Sequence, residues 1–329
     1  MMRLLAVAAC LVSLLAAQDD LRQGLAALNK NDLAHARESL EKAAKQEPRS
    51  AVVWVALAQT CLKSGQKKLA TEAAGRAEQF GAGVPTIQHA LAMFYAGSGD
   101  LIKAADWERR SGAGAQEAFL SELGQALLKS GKFAEALALL EVGQRHFPKD
   151  AQIVLAYGVA CYVQRHMEDA VNAFLQVIRL DDAIEQPYVF LGRMLERTGD
   201  RLPEVIASYE AWEKKAPDNH LPAFFHAKAL LASPNSDAPV VEAELRRSIE
   251  LNGAFSDSHL ELGALLARQG KWPEAERELS RSIELDPGQA RAHYELARVC
   301  LRLGKPEQAK AERAEYDRLK TAENATGQP

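Results

Sequence analysis

Small residues recur about every 34 positions along this chain, at Gly24, Ala58, Ala92, Gly124, Gly158, Gly192, Ala227, Gly263 and Ala297. A recurrence at that period restricts the chain to a stack of repeated supersecondary units. Twelve residues further on, a second small column holds Ala36, Ala70, Ala104, Ala136, Ala170, Ala275 and Ala309, with Val205 and Val241 where short insertions intervene. Between the columns stand Gly65, Gly99, Gly131, Gly199, Gly270 and Gly304, where a chain leaving a helix takes the left-handed conformation at least cost. Pro48, Pro148, Pro217 and Pro287 then close several units, since proline cannot donate the next helical hydrogen bond. Each unit therefore reads as helix, tight turn, helix.

Two helices approach closely only where side chains are small, so the pattern predicts Gly or Ala of the first helix facing Ala of the second, as Gly263 facing Ala275. Large apolar residues fill the remaining space: Leu57, Leu91, Leu123, Leu191, Leu262 and Leu296 on first helices, Leu140, Phe174, Tyr209 and Leu279 on second helices. Aromatic residues are only 6% of the chain, which suits helices packed through alanine. A lone helix pair cannot bury its apolar face, so neighbours must stack.

The columns resemble those of the tetratricopeptide repeat family, most clearly from Ser256 to Pro287, with Leu262-Gly263, Gly270, Ala275, Leu279 and Pro287, and again at Trp54 and Leu57. The resemblance implies an all-α, right-handed superhelical solenoid of helix-turn-helix repeats starting near residues 17, 51, 85, 117, 151, 185, 220, 256 and 290. The solenoid is expected over residues 18–320, with a polar tail at 321–329. Two places depart from the pattern. The third repeat carries Glu108 and Ser111 where apolar or small residues belong and runs into Ser111-Gly112-Ala113-Gly114-Ala115, reading as a loosely packed joint. The seventh has a longer turn, Ser233 to Pro239, read as an exposed excursion.

At the N-terminus, Arg3 precedes an apolar run from Leu4 to Ala17 that ends at Gln18-Asp19-Asp20. This is the layout of a secretory signal peptide, expected to be cleaved after Ala17 with Ala16 the second candidate, and the run is short for a membrane span. A lipidation site at Cys10 is disfavoured, because so few residues precede it. The expected destination is the periplasm or the cell exterior, with no membrane insertion after cleavage. Asn324-Ala325-Thr326 is a lone glycosylation sequon and carries little weight.

Chemistry is sparse. Cys61, Cys161 and Cys300 hold the same place in their repeats, three and four repeats apart, too far for a disulfide, and read as buried fillers. The eight histidines show no HExxH or Cys-x-x-Cys spacing, so no metal or cofactor is expected. Gly131-Lys132, Gly270-Lys271 and Gly304-Lys305 lack the rest of a phosphate loop. Asp181-Asp182 reads as solvated linker. A formal net charge of −4 provides no field for nucleic acid. These exclusions predict a non-catalytic scaffold that binds a protein or peptide. The alternative is an accessory subunit assembling a membrane-bound synthase or secretion complex.

The resemblance implies a concave groove lined by places two, five, six, nine, twelve and thirteen of each first helix. In the fifth to seventh repeats it names Leu155, Val159, Tyr162, Val189, Phe190, Phe224 and Phe225, edged by Arg193, Arg197 and Lys228. These are the expected partner-binding residues, with packing between adjacent first helices the rival reading of the rings. The family's carboxylate clamp is absent, because its places hold Leu21, Leu25, Val55, Ala56, Thr86 and Ala90.

Overall fold

A computed structural model of the chain describes residues 2–112 and 116–326, with side chains described over 16–112 and 116–324. Among the described residues there are eighteen α-helices and no strand. The chain divides into two compact bodies, Met1–Leu180 and Asp181–Pro329.

In the N-terminal body the successive pairs are α1 (Met2–Asn29) with α2 (Leu33–Gln46), α3 (Ala51–Lys63) with α4 (Lys67–Gly81), α5 (Pro85–Ser98) with α6 (Leu101–Ser111), α7 (Glu117–Lys129) with α8 (Phe133–His146), and α9 (Ala151–Val163) with α10 (Met167–Leu180). The C-terminal body pairs α11 (Gln186–Arg193) with α12 (Leu202–Lys215), α13 (His220–Ala232) with α14 (Ala238–Leu251), α15 (Ser256–Arg268) with α16 (Trp272–Leu285), and α17 (Ala290–Arg302) with α18 (Pro306–Thr326). From the second repeat on, the first helices begin within one residue of the positions predicted by the small-residue column. α1 joins the leader to the first helix of the first repeat, and of the leader only the side chains of Ala16 and Ala17 lie among those described. Among the described residues no helix is long and apolar enough to cross a membrane. The expected tail is in part helical, since α18 continues to Thr326 with Lys320 paired to Glu323 one turn on.

All six predicted turn glycines take positive φ, and Asn31 (58°) and Arg165 (65°) stand at the same place in the first and fifth repeats. Asp32, Asp100, Asp150 and Asn219 cap the helices they precede by accepting backbone N–H groups.

The contact at the small column differs from the sequence expectation. A Cβ on Gly24, Gly124, Gly158 or Gly263 would meet Leu40, Leu140, Phe174 or Leu279, in each case the residue sixteen positions on; the Gly263 Cβ would lie 2.6 Å from Leu279 Cγ. Gly263 therefore meets Leu279 first, as Gly24 meets Leu40 ahead of the Ala36 carbonyl. The small residue makes room for the next helix's largest side chain, while the alanine column lies buried beside that contact.

A second regularity ties five of the repeats to the junction before them. Four residues ahead of the small column, a side-chain donor reaches the carbonyl six residues back: Trp54 Nε1 to Pro48 (2.8 Å), Gln88 to Ala82, Tyr188 OH to Asp182 (3.3 Å), His259 Nε2 to Gly253 (3.3 Å) and His293 Nε2 to Pro287 (3.2 Å). These bonds satisfy carbonyls at the junctions, where no helix supplies a donor.

The third repeat is not loosely packed where it is described. Glu108 is fully buried, its Oε2 lies 2.7 Å from His89 Nδ1, and its Oε1 accepts the Gln116 N–H at 3.3 Å. Ser111 Oγ donates to the Glu108 carbonyl at 2.7 Å. Polar residues are tolerated there because they satisfy one another; residues 113–115 of that expectation lie outside the described residues. The excursion of the seventh repeat is observed, with residues 234–237 exposed between α13 and α14. Cys61, Cys161 and Cys300 are buried free thiols, and burial pushes the Cys161 thiol up to about 11.

Candidate functional site

The hollow with the most recognition chemistry lies in the C-terminal body, on the adjoining first helices α15 and α17. On α15, Ala264 and Ala267 stand one turn apart, and their methyl groups leave space above the helix. On α17, Arg291, Glu295, Arg298 and Arg302 share one face through i, i+4, i+7 and i+11 spacing. Trp272, the first residue of α16 after the Gly270 turn, closes one side. Together with Arg268 and Leu301 these residues line a hollow of about 490 Å³.

Four arginines face one glutamate within the lining. Arg291 is engaged, donating to both carboxylate oxygens of Glu261 at 2.6 and 3.1 Å, and Arg298 pairs with Glu295 at 2.9 Å. Arg302 lies over the Trp272 ring, 5.8 Å from its centre. Among the described residues no carboxylate pairs with Arg268 or Arg302. Leu301, 63% exposed, stands at the rim. A second hollow of about 350 Å³ shares Arg298 and Leu301 and extends to Lys310 and Arg313 on α18. There Arg313 lies over the rings of both Tyr294 and Tyr316. Unpaired guanidinium forks bind carboxylates in two-point geometry, and the indole and the leucine offer apolar contact beside them. The arrangement suits an acidic, partly apolar segment.

The residues expected to form the groove fall elsewhere. Leu155, Val159 and Tyr162 lie on α9 in the N-terminal body, Leu155 buried and the other two half-buried. Val189 and Phe190 are half-buried on α11. Arg193 is exposed at the end of that helix, and Arg197 is exposed in a 3-10 turn beyond it. Phe224 and Phe225 are core rings, 4% and 7% exposed, so the packing reading holds for them. Phe225 stacks on Tyr209 and fills the space over Gly192, and Phe224 meets Phe255 edge-on at 5.0 Å. Lys228, half-buried, lies over the Phe224 ring. The physical reason is the short α11: after Arg193 the chain turns through Leu195–Arg197 and Gly199–Arg201 in 3-10 form, so the sixth repeat lacks its usual closure and the next first helix supplies the rings. The arginine hollow has no run of aromatic residues to mark it in the sequence, unlike the fifth to seventh repeats. The same groove places, read in the eighth and ninth repeats, give Asp257, Leu260, Glu261, Ala264, Ala267, Arg268, Arg291, Tyr294, Glu295, Arg298, Leu301 and Arg302, of which eight line the hollow.

A family model described as tetratricopeptide repeat matches residues 21–85 and 121–187, and a second of the same description matches 266–318. Together they cover more than half of the chain, which belongs to the tetratricopeptide repeat family. No curated protein matches it. Among solved structures it is similar to MamA 41-end from Desulfovibrio magneticus RS-1, at 19% identity and TM-score 0.45 over 53% of this chain and 96% of that one. It is also similar to PilW, described as a widely conserved type IV pilus biogenesis factor, at 16% identity and TM-score 0.49 over 60% and 91%. YrrB, described as a TPR protein with an unusual peptide-binding site, matches at 16% identity and TM-score 0.34 over 61% and 84%.

Proposed function

We propose that this chain is a non-catalytic scaffold that holds an acidic segment of a partner protein in the hollow between α15 and α17. The observation that carries this reading is the pair Arg268 and Arg302, without carboxylate partners, set beside Trp272 and the exposed Leu301. Aromatic and arginine side chains at the centre of an interface carry much of its binding free energy. The test uses a fluorescent peptide of alternating Glu and Leu residues, with its Lys counterpart as control. Arg268→Glu and Arg302→Glu should each weaken binding of the acidic peptide by roughly 2 kcal/mol, with the loss shrinking as salt rises. Equal binding of both peptides, or variants that bind as the parent does, would overturn the reading.

Export belongs to the same proposal, supported by the Leu4–Ala17 leader. Intact mass of the protein recovered from its native source should correspond to a chain starting at Gln18. A retained Met1 would reject it.

A further inference from the structure

Three successive helices of the C-terminal body bring two carboxylates and one imidazole together. Glu213 stands in the last turn of α12, His226 in the middle of α13 and Glu244 in the middle of α14, and one ligand atom from each lies within 4.8 Å of the others. His226 Nδ1 is 3.3 Å from Glu213 Oε2 and 3.8 Å from Glu244 Oε1. Arg247 Nη1 lies 2.5 Å from the other Glu213 oxygen, Oε1, an ion pair without hydrogen-bond alignment.

The donors do not suffice for the acceptors. His226 Nδ1 carries at most one proton, and two carboxylate oxygens face it. Glu244 Oε2 is sealed from solvent with no hydrogen-bond partner. We propose that Glu213, His226 and Glu244 form a binding site for one divalent transition-metal ion, with Zn2+ the ion this donor set fits best.

Bonds of about 2.0–2.1 Å to a tetrahedral Zn2+ place neighbouring ligand atoms about 3.3 Å apart. The Nδ1 distances to the two carboxylates, 3.3 and 3.8 Å, need only a small contraction to reach that edge. Glu213 would bind through Oε2 while Arg247 holds Oε1, so the ligating carboxylate keeps an outer partner that fixes its orientation. The Glu213 side chain is 9% exposed and that of Glu244 19%, so the site is largely buried. An imidazole nitrogen among the ligands favours Zn2+ over Mg2+ or Ca2+, which take all-oxygen shells. This site is independent of the arginine hollow.

The experiment is calorimetric titration of the EDTA-treated full chain with Zn2+, Mg2+ and Ca2+, alongside thermal melts. The expected result is one equivalent of Zn2+, a melting temperature that rises and levels off at that equivalence, and no response to Mg2+ or Ca2+. X-ray absorption of the Zn2+ form should show one imidazole and oxygen neighbours. His226→Ala and Glu244→Gln should abolish the one-equivalent binding, and Arg247→Ala should weaken it roughly 10–100-fold. Glu244→Gln is nearly isosteric and relieves repulsion, so it keeps the metal-free fold available even if His226→Ala does not fold. No binding by the parent chain, parent-like binding by Glu244→Gln, or a sulfur neighbour at the metal would overturn the proposal.

Discussion

Within the C-terminal body, the helices at residues 186–232 bury their large side chains in one another, whereas the first helices at 256–302 leave a hollow surrounded by guanidinium groups. At the first place Tyr188, Tyr209, Trp212, Phe224, Phe225 and Phe255 form a continuous set of ring contacts, with Tyr188 and Trp212 stacked at 4.4 Å. At the second place Ala264 and Ala267 occupy the corresponding face, and the long side chains stand around them. The aromatics accompany a broken register, because α11 ends early and its neighbours must fill the gap. The hollow accompanies regular repeats, whose small residues leave space that nothing in the body takes up. In this chain a cluster of rings therefore marks closure, and alanines among arginines mark an opening.

The largest test of that contrast is Phe225→Ala. Removing a buried ring that stacks on Tyr209 and covers Gly192 should cost about 3–5 kcal/mol in a denaturant titration and leave acidic-peptide binding by the folded fraction unchanged. Lost binding with unchanged stability would make the rings a docking surface and reverse the comparison.

Gly263→Ala tests the open end. Its new Cβ would stand 2.6 Å from Leu279 Cγ and 3.2 Å from the Leu279 backbone nitrogen. A backbone atom cannot turn aside, so overpacking should cost roughly 1–3 kcal/mol and loosen α15 against α16 beneath the hollow. Calorimetry that finds the parent stability would show that α15 and α16 are not tightly closed there.

Much of this fold was legible in the sequence because period and turn are local signals. The turn glycines and the helix starts each depend on a few neighbouring residues. The partner of the small column was not legible: whether Gly263 meets Ala275 or Leu279 depends on helix rotation, which periodicity alone does not fix. The Phe224 and Phe225 assignment failed for a related reason, since the early end of α11 has no breaker residue at Met194 to announce it. Glu213, His226 and Glu244 come from three helices and fall into no spacing motif, so only the packed structure brings them together.

A smaller effect is expected from pH at α16. Glu278 accepts from the buried His259 at 2.8 Å and from Arg277, and these bonds hold its carboxyl below the ordinary 4.5. A depressed carboxylate contributes stability that is fully present above the unfolded value and lost as pH falls through the folded one. Melts from pH 7 down to pH 3 should therefore show Glu278→Gln less stable than the parent at neutral pH and converging with it in acid. A gap that stays constant with pH would assign the effect to packing alone.

The smallest change expected is a gain, in the N-terminal body, and it sharpens the view of regular repeats as interchangeable parts. The turn after α9 repeats the turn after α3 bond for bond: Arg165 N–H donates to the Tyr162 carbonyl at 3.2 Å and His166 N–H to Cys161 at 2.9 Å, as Gly65 does to Leu62 at 3.0 Å and Gln66 to Cys61 at 2.8 Å. The φ values are also similar, 65° at Arg165 and 76° at Gly65. An L-residue with a Cβ is held in the left-handed region at a cost of about 1–2 kcal/mol, whereas glycine adopts it freely but loses more backbone entropy on folding. The difference favours glycine, so Arg165→Gly should raise stability by about 1 kcal/mol or less. The reciprocal Gly65→Arg should lower it by a similar amount. Arg165 is exposed, so no buried contact competes with the backbone term. Thermal melts of the two variants decide the matter: opposite shifts support equivalent turns, and a loss of stability in Arg165→Gly would show that the arginine side chain contributes something the fifth repeat requires.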